Sequence, residues 1–249
     1  KHLSTSLSIM QQGVELILKG KITYISPYLL ITDSPSKWPS PYKNNEISFS
    51  QFRTLDAQDL IKVHDIFADT KISDEFANLY NSLRAKRNAI MHSVDNKLKI
   101  EINEIIENIL AVHNSLFSNE NWAQERHNFL NKSPGFILSG ESDYNINTSC
   151  WEISLVYELL SPICIKKYFN INKKNNLYFC PKCYENANHD ADSFDYKLAG
   201  LISKNKDEKE LFCPVCNITH EIIRNKCIEC EGTVFDEMGQ CLTCRSIIE

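Results

Sequence analysis

Leu3, Leu7, Met10, Val14, Ile17 and Leu18 recur at three- and four-residue intervals, the period of a helix that buries one face. The stripe predicts a first helix from the N-terminus to Gly20, because glycine commonly closes a helix. The stretch 21–49 breaks the pattern with prolines at 27, 35, 39 and 41 and many Ser and Asn residues, which reads as a long loop around one apolar segment. Helical spacing returns in TLDAQDLIKVHDIF, with Thr54 as its expected N-cap. The next helix is expected to start at Ser73, where Asp74 and Glu75 lie at the positive end of the helix dipole. A long helix follows over about 98–117 (Ile100, Ile102, Ile105, Ile106, Ile109, Leu110, Val112, Leu116), and NWAQERHNFL continues the pattern. Past the PGF break at 134–136, TSCWEISLVYELLSPICIKKYF supplies one more helix with a capped start, interrupted at Pro162. The pattern predicts a mainly α body of five or six helices.

One position interrupts a stripe. Phe76, Tyr80, Leu83 and Ile90 fall on one helical face, yet the residue between Leu83 and Ile90 on that face is Arg87. Asn88 follows it, and His92 lies one turn beyond Asn88, so Asn88 can hold the imidazole in one orientation. A guanidinium in an apolar stripe is costly without a partner. A structural explanation pairs Arg87 with an acid such as Glu15 of the first helix and lets His92 end its helix, where a cation suits the dipole.

The C-terminal third follows a different rule. Eight of the ten cysteines form four identical CxxC turns: Cys180/Cys183, Cys213/Cys216, Cys227/Cys230 and Cys241/Cys244. A two-residue gap lets a tight turn aim two thiolates at one point, so four turns supply two closed tetrahedral sites for Zn2+. Closed four-cysteine sites fold a segment and leave no open position for catalysis. Sequential pairing gives one ribbon with a long insertion and a second compact ribbon, and crossed or nested pairings would use the same ligands. Tyr178 and Phe179, like Leu211 and Phe212, precede their CPxC turns as short strands feeding a knuckle would. His189 and His220 are expected in solvated loops, Cys150 and Cys164 as buried structural thiols. The segments ENANHDADSFDYKL and SKNKDEKE read as solvated surface within the first ribbon's insertion.

Charge bears on partners. The formal net charge is −5, from 27 Lys/Arg and 32 Asp/Glu; from residue 175 onward there are 8 against 13, which leaves 19 and 19 before it. The excess acid therefore sits with the ribbons and weighs against a phosphate-binding surface there. Lys166, Lys167, Lys173 and Lys174 form a small basic group at the end of the helical body, read as solvated. Apolar runs such as GVELIL are far shorter than the roughly 20 residues of a membrane span. The first residues lack a basic-then-apolar signal pattern, and the expectation is a cytoplasmic protein. The chain begins at Lys1 with no initiator Met, so a short preceding segment is expected.

The stretch SLRAKRNAIMHS resembles the RNxxxH motif (R-x4-6-H) of the HEPN superfamily, all-α bundles found in many bacterial toxins and phage-defence effectors. The resemblance implies a HEPN-like helical domain over 1–172, and the CxxC turns put tandem zinc ribbons after it, over 173–249. It also implies that Arg87, Asn88 and His92 form a metal-independent ribonuclease site completed in a homodimer. RNA offers its 2′-OH as an internal nucleophile; a histidine exchanges protons near neutral pH and an arginine binds phosphate bidentately. The products would be a 2′,3′-cyclic phosphate and a 5′-OH. A subgroup controlled by a nucleotidyltransferase antitoxin carries Tyr two residues after the His; Val94 stands there instead, so tyrosine modification is not expected. The ribbons are expected to dock a protein partner or RNA, with no catalytic metal. The alternative is a non-catalytic dimerisation scaffold with a zinc-ribbon interaction module.

Overall fold

The computed structural model describes residues 2–38, 52–92, 99–134, 142–187, 194–203, 205 and 208–247, apart from the side chains of residues 92 and 142–144. Packing divides the chain into two compact units, Lys1–Ser115 and Leu116–Glu249. The change from helices to ribbons falls after Phe169, so the last helices belong to the same compact unit as the cysteine-rich segment.

In the first unit, α1 (His2–Ile25) runs through Gly20 rather than ending there. A Cβ at Gly20 would meet nothing within 4 Å, so the residue lies on the helix's open side. Its cost relative to Ala, about 1 kcal/mol, is outweighed by burial of Leu18 and Ile22, each contributing about 1.5–3 kcal/mol. The helix stops before Pro27, which drives Ser26 to extended backbone (φ −163°, ψ 128°). Two short 3-10 turns, Pro27–Leu30 and Pro35–Lys37, occupy part of the expected loop.

Thr54 is not a helix cap. It bridges Ile31 antiparallel, while Leu55 N–H donates to Leu30 O (2.9 Å) and Thr32 N–H to Arg53 O (3.0 Å). Backbone groups engaged in this strand-like pairing cannot enter a helix, and α2 (Leu60–Phe67) begins six residues later. α3 (Asp74–His92) starts as the sequence predicts, with Ser73 Oγ accepting from Phe76 N–H at 3.2 Å. Phe76, Tyr80 and Leu83 are each 1% exposed. α4 (Ile102–Leu116) buries Ile105, Leu110 and Val112, and its Glu104 pairs with Lys86 of α3.

In the second unit, α5 (Trp122–Lys132) is capped by Asn121, whose Oδ1 accepts from Ala123 N–H and Gln124 N–H. α6 (Ser142–Leu159) starts six residues earlier than the apolar pattern suggests. Its first turns bury Asn145 and Ser149 on the stripe that continues through Ile146, Cys150 and Ile153, so hydrophobicity alone hides them. α7 (Pro162–Phe169) follows the expected break, with Ser161 Oγ accepting from Cys164 N–H and Asn170 closing it at φ 57°. Lys166 donates to Asn170 Oδ1 (2.7 Å) and Lys173 to Tyr157 O, so two of the four lysines act locally as caps and ties. The described residues thus contain seven helices before the ribbons, more than the five or six expected.

The first ribbon contains a four-stranded antiparallel sheet in the order β1 (Tyr178–Phe179), β2 (Lys197–Leu201), β3 (Glu210–Cys213), β4 (Ile218–Glu221). A short helix, α8 (Pro181–Asn186), leaves the first CxxC turn. The pairings Tyr178↔Ala199, Gly200↔Phe212 and Phe212↔Thr219 set the register. The insertion is therefore not all solvated surface: Phe194, Leu198 and Ala199 are buried, and β2 forms the sheet's interior. The compact second ribbon is held by isolated bridges, Ile223↔Phe235, Phe235↔Cys241 and Gln240↔Ile247. Phe235 forms its small core with Cys227 and Cys241.

Candidate functional site

The structure gathers the cysteines as two groups of four, Cys180/Cys183/Cys213/Cys216 and Cys227/Cys230/Cys241/Cys244, with all sulfurs of each group within 4.8 Å of one another. This is the sequential grouping of the four turns. The sulfurs lie 3.6 Å apart in Cys180–Cys216 and 3.7 Å apart in Cys183–Cys213, Cys227–Cys244 and Cys230–Cys241. A tetrahedron with metal–sulfur bonds of about 2.3 Å has sulfur–sulfur edges of about 3.8 Å. The donor set and spacing thus fit a four-coordinate metal ion, and all ten cysteines are free of disulfides. Closed coordination by four sulfurs suits a structural metal.

Local backbone makes each group. In the first turn Cys180 caps α8 by accepting from Cys183 N–H at 3.5 Å. The other three turns end on a left-handed residue directly after the second cysteine: Asn217 (φ 56°), Glu231 (φ 58°) and Arg245 (φ 69°). Asn217 is well suited, because Asn tolerates this conformation. Its amide also accepts from Asn121 Nδ2 (3.0 Å) and donates to Gln124 Oε1 (3.1 Å), tying the knuckle to the start of α5. Glu231 and Arg245 carry the usual Cβ penalty. Gly232 sits where a Cβ would lie 2.6 Å from Thr243 Oγ1 and 3.1 Å from Cys230 Sγ.

Each group is bridged by one side-chain donor at the same place. His220 Nε2 lies 3.3 Å from Cys180 Sγ and 3.9 Å from Cys216 Sγ; Ser246 Oγ lies 3.2 Å from Cys227 Sγ and 3.1 Å from Cys244 Sγ. Both link the first cysteine of one turn to the last cysteine of the other. The solvated-loop reading of His220 is therefore corrected: β4 pairs His220 with Leu211 and aims the ring at the sulfurs. His189 lies outside the described residues. Cys150 is 1% exposed, as expected, but its neighbour is the first group: hydrogen bonding with Cys150 is the largest influence pushing the Cys183 thiol up. Cys164 is only half-buried and accepts from Ser161 Oγ at 3.2 Å.

Thiol acidities reflect proton sharing. Hydrogen bonds from Cys180, then Cys183 and Cys213, hold Cys216 far below its ordinary range, while Cys213 is pushed up, chiefly by hydrogen bonding to Cys180. In the second group Ser246 draws Cys227 down to about 6, and burial pushes Cys230 up to about 12. Behind the first group, burial lowers the pKa of His127. Ser149 Oγ donates to Asn145 O (2.7 Å), so it accepts from His127 Nδ1–H (2.9 Å), and the ring's Nε2 accepts from Asn131 Nδ2 (3.1 Å). This chain needs the neutral ring with its proton on Nδ1.

On α3, Arg87 is half-buried in the stripe and Asn88 is exposed beside it, with Arg87 Nη1 donating to Asn88 Oδ1 at 3.3 Å. Arg87 Nε is buried without a hydrogen-bond partner. The expected pairing with Glu15 does not form: Glu15 joins Lys19 at 2.9 Å. Among the described residues no carboxylate pairs with Arg87. His92 is the last residue of α3; its side chain, like Val94, lies outside the described residues.

No helix among the described residues is long and apolar enough to cross a membrane. The chain matches no family model, no curated protein and no solved structure.

Proposed function

We propose that the chain is a metal-independent endoribonuclease of HEPN type, with two structural zinc ions in its ribbons. The observation that carries the reading is Arg87: a guanidinium set into the apolar stripe of α3, its Nε buried and unpartnered, with an exposed amide beside it and a histidine one turn on. A buried N–H left without a hydrogen bond is costly, and a substrate phosphate is a partner of the right charge and fork geometry for the half-buried guanidinium. His92 exchanges the proton of the RNA 2′-OH or of the leaving 5′-oxygen, Asn88 orients it, and Arg87 stabilises charge on the phosphorane. Two copies in a homodimer supply one histidine as base and one as acid. Zinc is the identity favoured for the ribbon metals by four thiolates at tetrahedral spacing. It takes no part in the reaction; the ribbons dock RNA or a protein partner. A cytoplasmic toxin or phage-defence effector is the setting the motif suggests.

The test compares RNA cleavage by the wild type, Arg87→Ala, Arg87→Lys and His92→Ala in buffer without added divalent metal, with circular dichroism as the folding control. Loss of cleavage in both alanine variants with unchanged folding supports the reading; cleavage at wild-type rate by either one refutes it. A second reading, a non-catalytic dimerising scaffold, is favoured by one observation. Trp151, Leu155 and Leu159 line one face of α6 at four-residue intervals and are 50%, 36% and 39% exposed, and Ile163 beyond them is 80% exposed, a row of the kind that protein contacts cover. Under that reading neither the wild type nor the Arg87 and His92 variants cleave RNA.

A further inference from the structure

The two cysteine groups have the same ligands but unequal surroundings. In the first, Cys180, Cys183 and Cys213 are buried, and the group is backed by strands β1–β4, by Cys150 of α6 and by the Asn217 tie to α5. In the second, Cys244 is exposed and Cys230 half-buried, and the chain is joined by isolated bridges and single backbone hydrogen bonds in place of a continuous sheet. Ser246 has a single hydroxyl proton for two sulfurs at nearly equal distance, so it satisfies one of them at a time.

The last knuckle of the second group is also the piece that grips the first ribbon. Leu242 O accepts from Phe179 N–H at 2.9 Å. Arg245, directly after Cys244, lays its guanidinium 4.9 Å from the Phe179 ring and 5.4 Å from the Tyr184 ring and donates to Phe194 O at 2.9 Å. Arg245 holds φ 69° to do so. That left-handed geometry costs a residue with a Cβ about 1–2 kcal/mol, and it closes the Cys241–Cys244 turn, in which Arg245 N–H donates to Cys241 O and Cys241 N–H to Ser246 O, each at 2.7 Å.

We propose that the second cysteine group is an exchangeable metal latch: its ion leaves before the first group's ion, and its occupancy holds Arg245 in the aromatic cluster of the first ribbon. The inference rests on the metal reading of the cysteines and is independent of the nuclease reading. With the ion bound, the Cys241–Cys244 turn fixes the backbone before Arg245, and Ser246, whose hydroxyl meets Cys227 and Cys244 Sγ and whose carbonyl accepts from Cys241 N–H at 2.7 Å, fixes it after. Without it the backbone relaxes from the left-handed region, the guanidinium withdraws, and the Phe179/Tyr184/Phe194 face opens. The ribbon then answers to metal supply at one site while the other keeps the fold.

The test uses the full chain loaded with zinc. Native mass spectrometry follows metal count during exposure to EDTA, and pulses of N-ethylmaleimide with peptide mapping report which cysteines are uncovered. The expected course is a one-metal species in which Cys227, Cys230, Cys241 and Cys244 are alkylated, Cys180, Cys183, Cys213 and Cys216 are protected, and the Phe179 amide exchanges with deuterium. Fewer than two ions after loading overturns the metal reading itself. A direct step from two ions to none, or alkylation of the first group first, overturns the order of release. Arg245→Ala and Arg245→Gly separate latch from backbone strain, since glycine relieves the left-handed cost but also lacks the guanidinium. Arg245→Ala is expected to lose the second group's ion about tenfold faster than the wild type, the scale of other contacts that support metal ligands, and Arg245→Gly, which also sheds the left-handed cost, to lose it more slowly than Arg245→Ala. An Arg245→Ala variant that retains the second group's ion as long as the wild type refutes the latch.

Discussion

Gly232→Ala probes the second metal group without touching a ligand. The new methyl carbon would lie 2.6 Å from Thr243 Oγ1, 2.8 Å from Thr243 Cβ and 3.1 Å from Cys230 Sγ. Two of these separations fall below any real Cβ contact, so the Cys241–Cys244 turn must move away from the Cys227–Cys230 turn. Forcing one methyl group into a filled site costs about 1–3 kcal/mol. The loss of glycine entropy from the unfolded chain returns about 0.4–1 kcal/mol, so the net cost is about 1–2 kcal/mol. Since the strain lies between the two halves of one cysteine group, it is felt as metal affinity at that group, a fall of roughly 5- to 30-fold at 1.4 kcal/mol per tenfold. Competition with a chromophoric chelator, read for each site by cysteine alkylation, measures it. The first group, which Gly232 does not touch, should keep its affinity. Gly200→Ala is the milder control, with its nearest atom the flexible Ile171 Cδ1 at 3.2 Å. Unchanged affinity at the second group in Gly232→Ala, or an equal fall at both, refutes the argument.

Three other outcomes follow from the same structure. Gly20→Ala should stabilise the chain by about 0.5–1 kcal/mol, because the site is open and the helix continues through it; a lower melting temperature contradicts the continuous α1. Burial, aided by Glu15, pushes Tyr80 up to about 12, so the native phenol keeps its proton after the unfolded one has ionised. Stability is therefore full below pH 10 and declines between pH 10 and about 12, and denaturant titrations of Tyr80→Phe should show a shallower decline there and a neutral-pH loss of about 1 kcal/mol for the bond to Ala57 O. Protons compete with metal for thiolates, so bound metal measured after desalting should fall as pH falls; retention that rises on acidification excludes thiolate coordination.

The cysteine groups were legible because their physics is local: a CxxC turn announces two converging thiolates whatever surrounds it. The surroundings were not. His220, Ser246 and Cys150 reach the sulfurs through β4, the last knuckle and α6, and only the spacing of His220 four residues after Cys216 offered a hint. The start of α3 at Ser73, the body of α4 and the break at Pro162 read well, whereas Gly20 suggested an end to α1 that comes only before Pro27. Thr54 misled because a capping residue and a bridge residue look alike until Ile31 is seen opposite it. The start of α6 was hidden by buried Asn145 and Ser149, polar residues satisfied or packed inside. Arg87 was flagged because it stands in an otherwise apolar stripe, and the structure leaves its Nε buried and without a hydrogen bond.

The central claim is that Arg87, Asn88 and His92 cleave RNA, and end-group analysis tests it most directly. A mixed RNA pool is incubated with the zinc-loaded wild type or with His92→Ala, and the new termini are mapped. The account predicts fragments with 5′-OH and 2′,3′-cyclic phosphate ends from the wild type alone. No new termini, equal cleavage by His92→Ala, or 5′-phosphate products would contradict it.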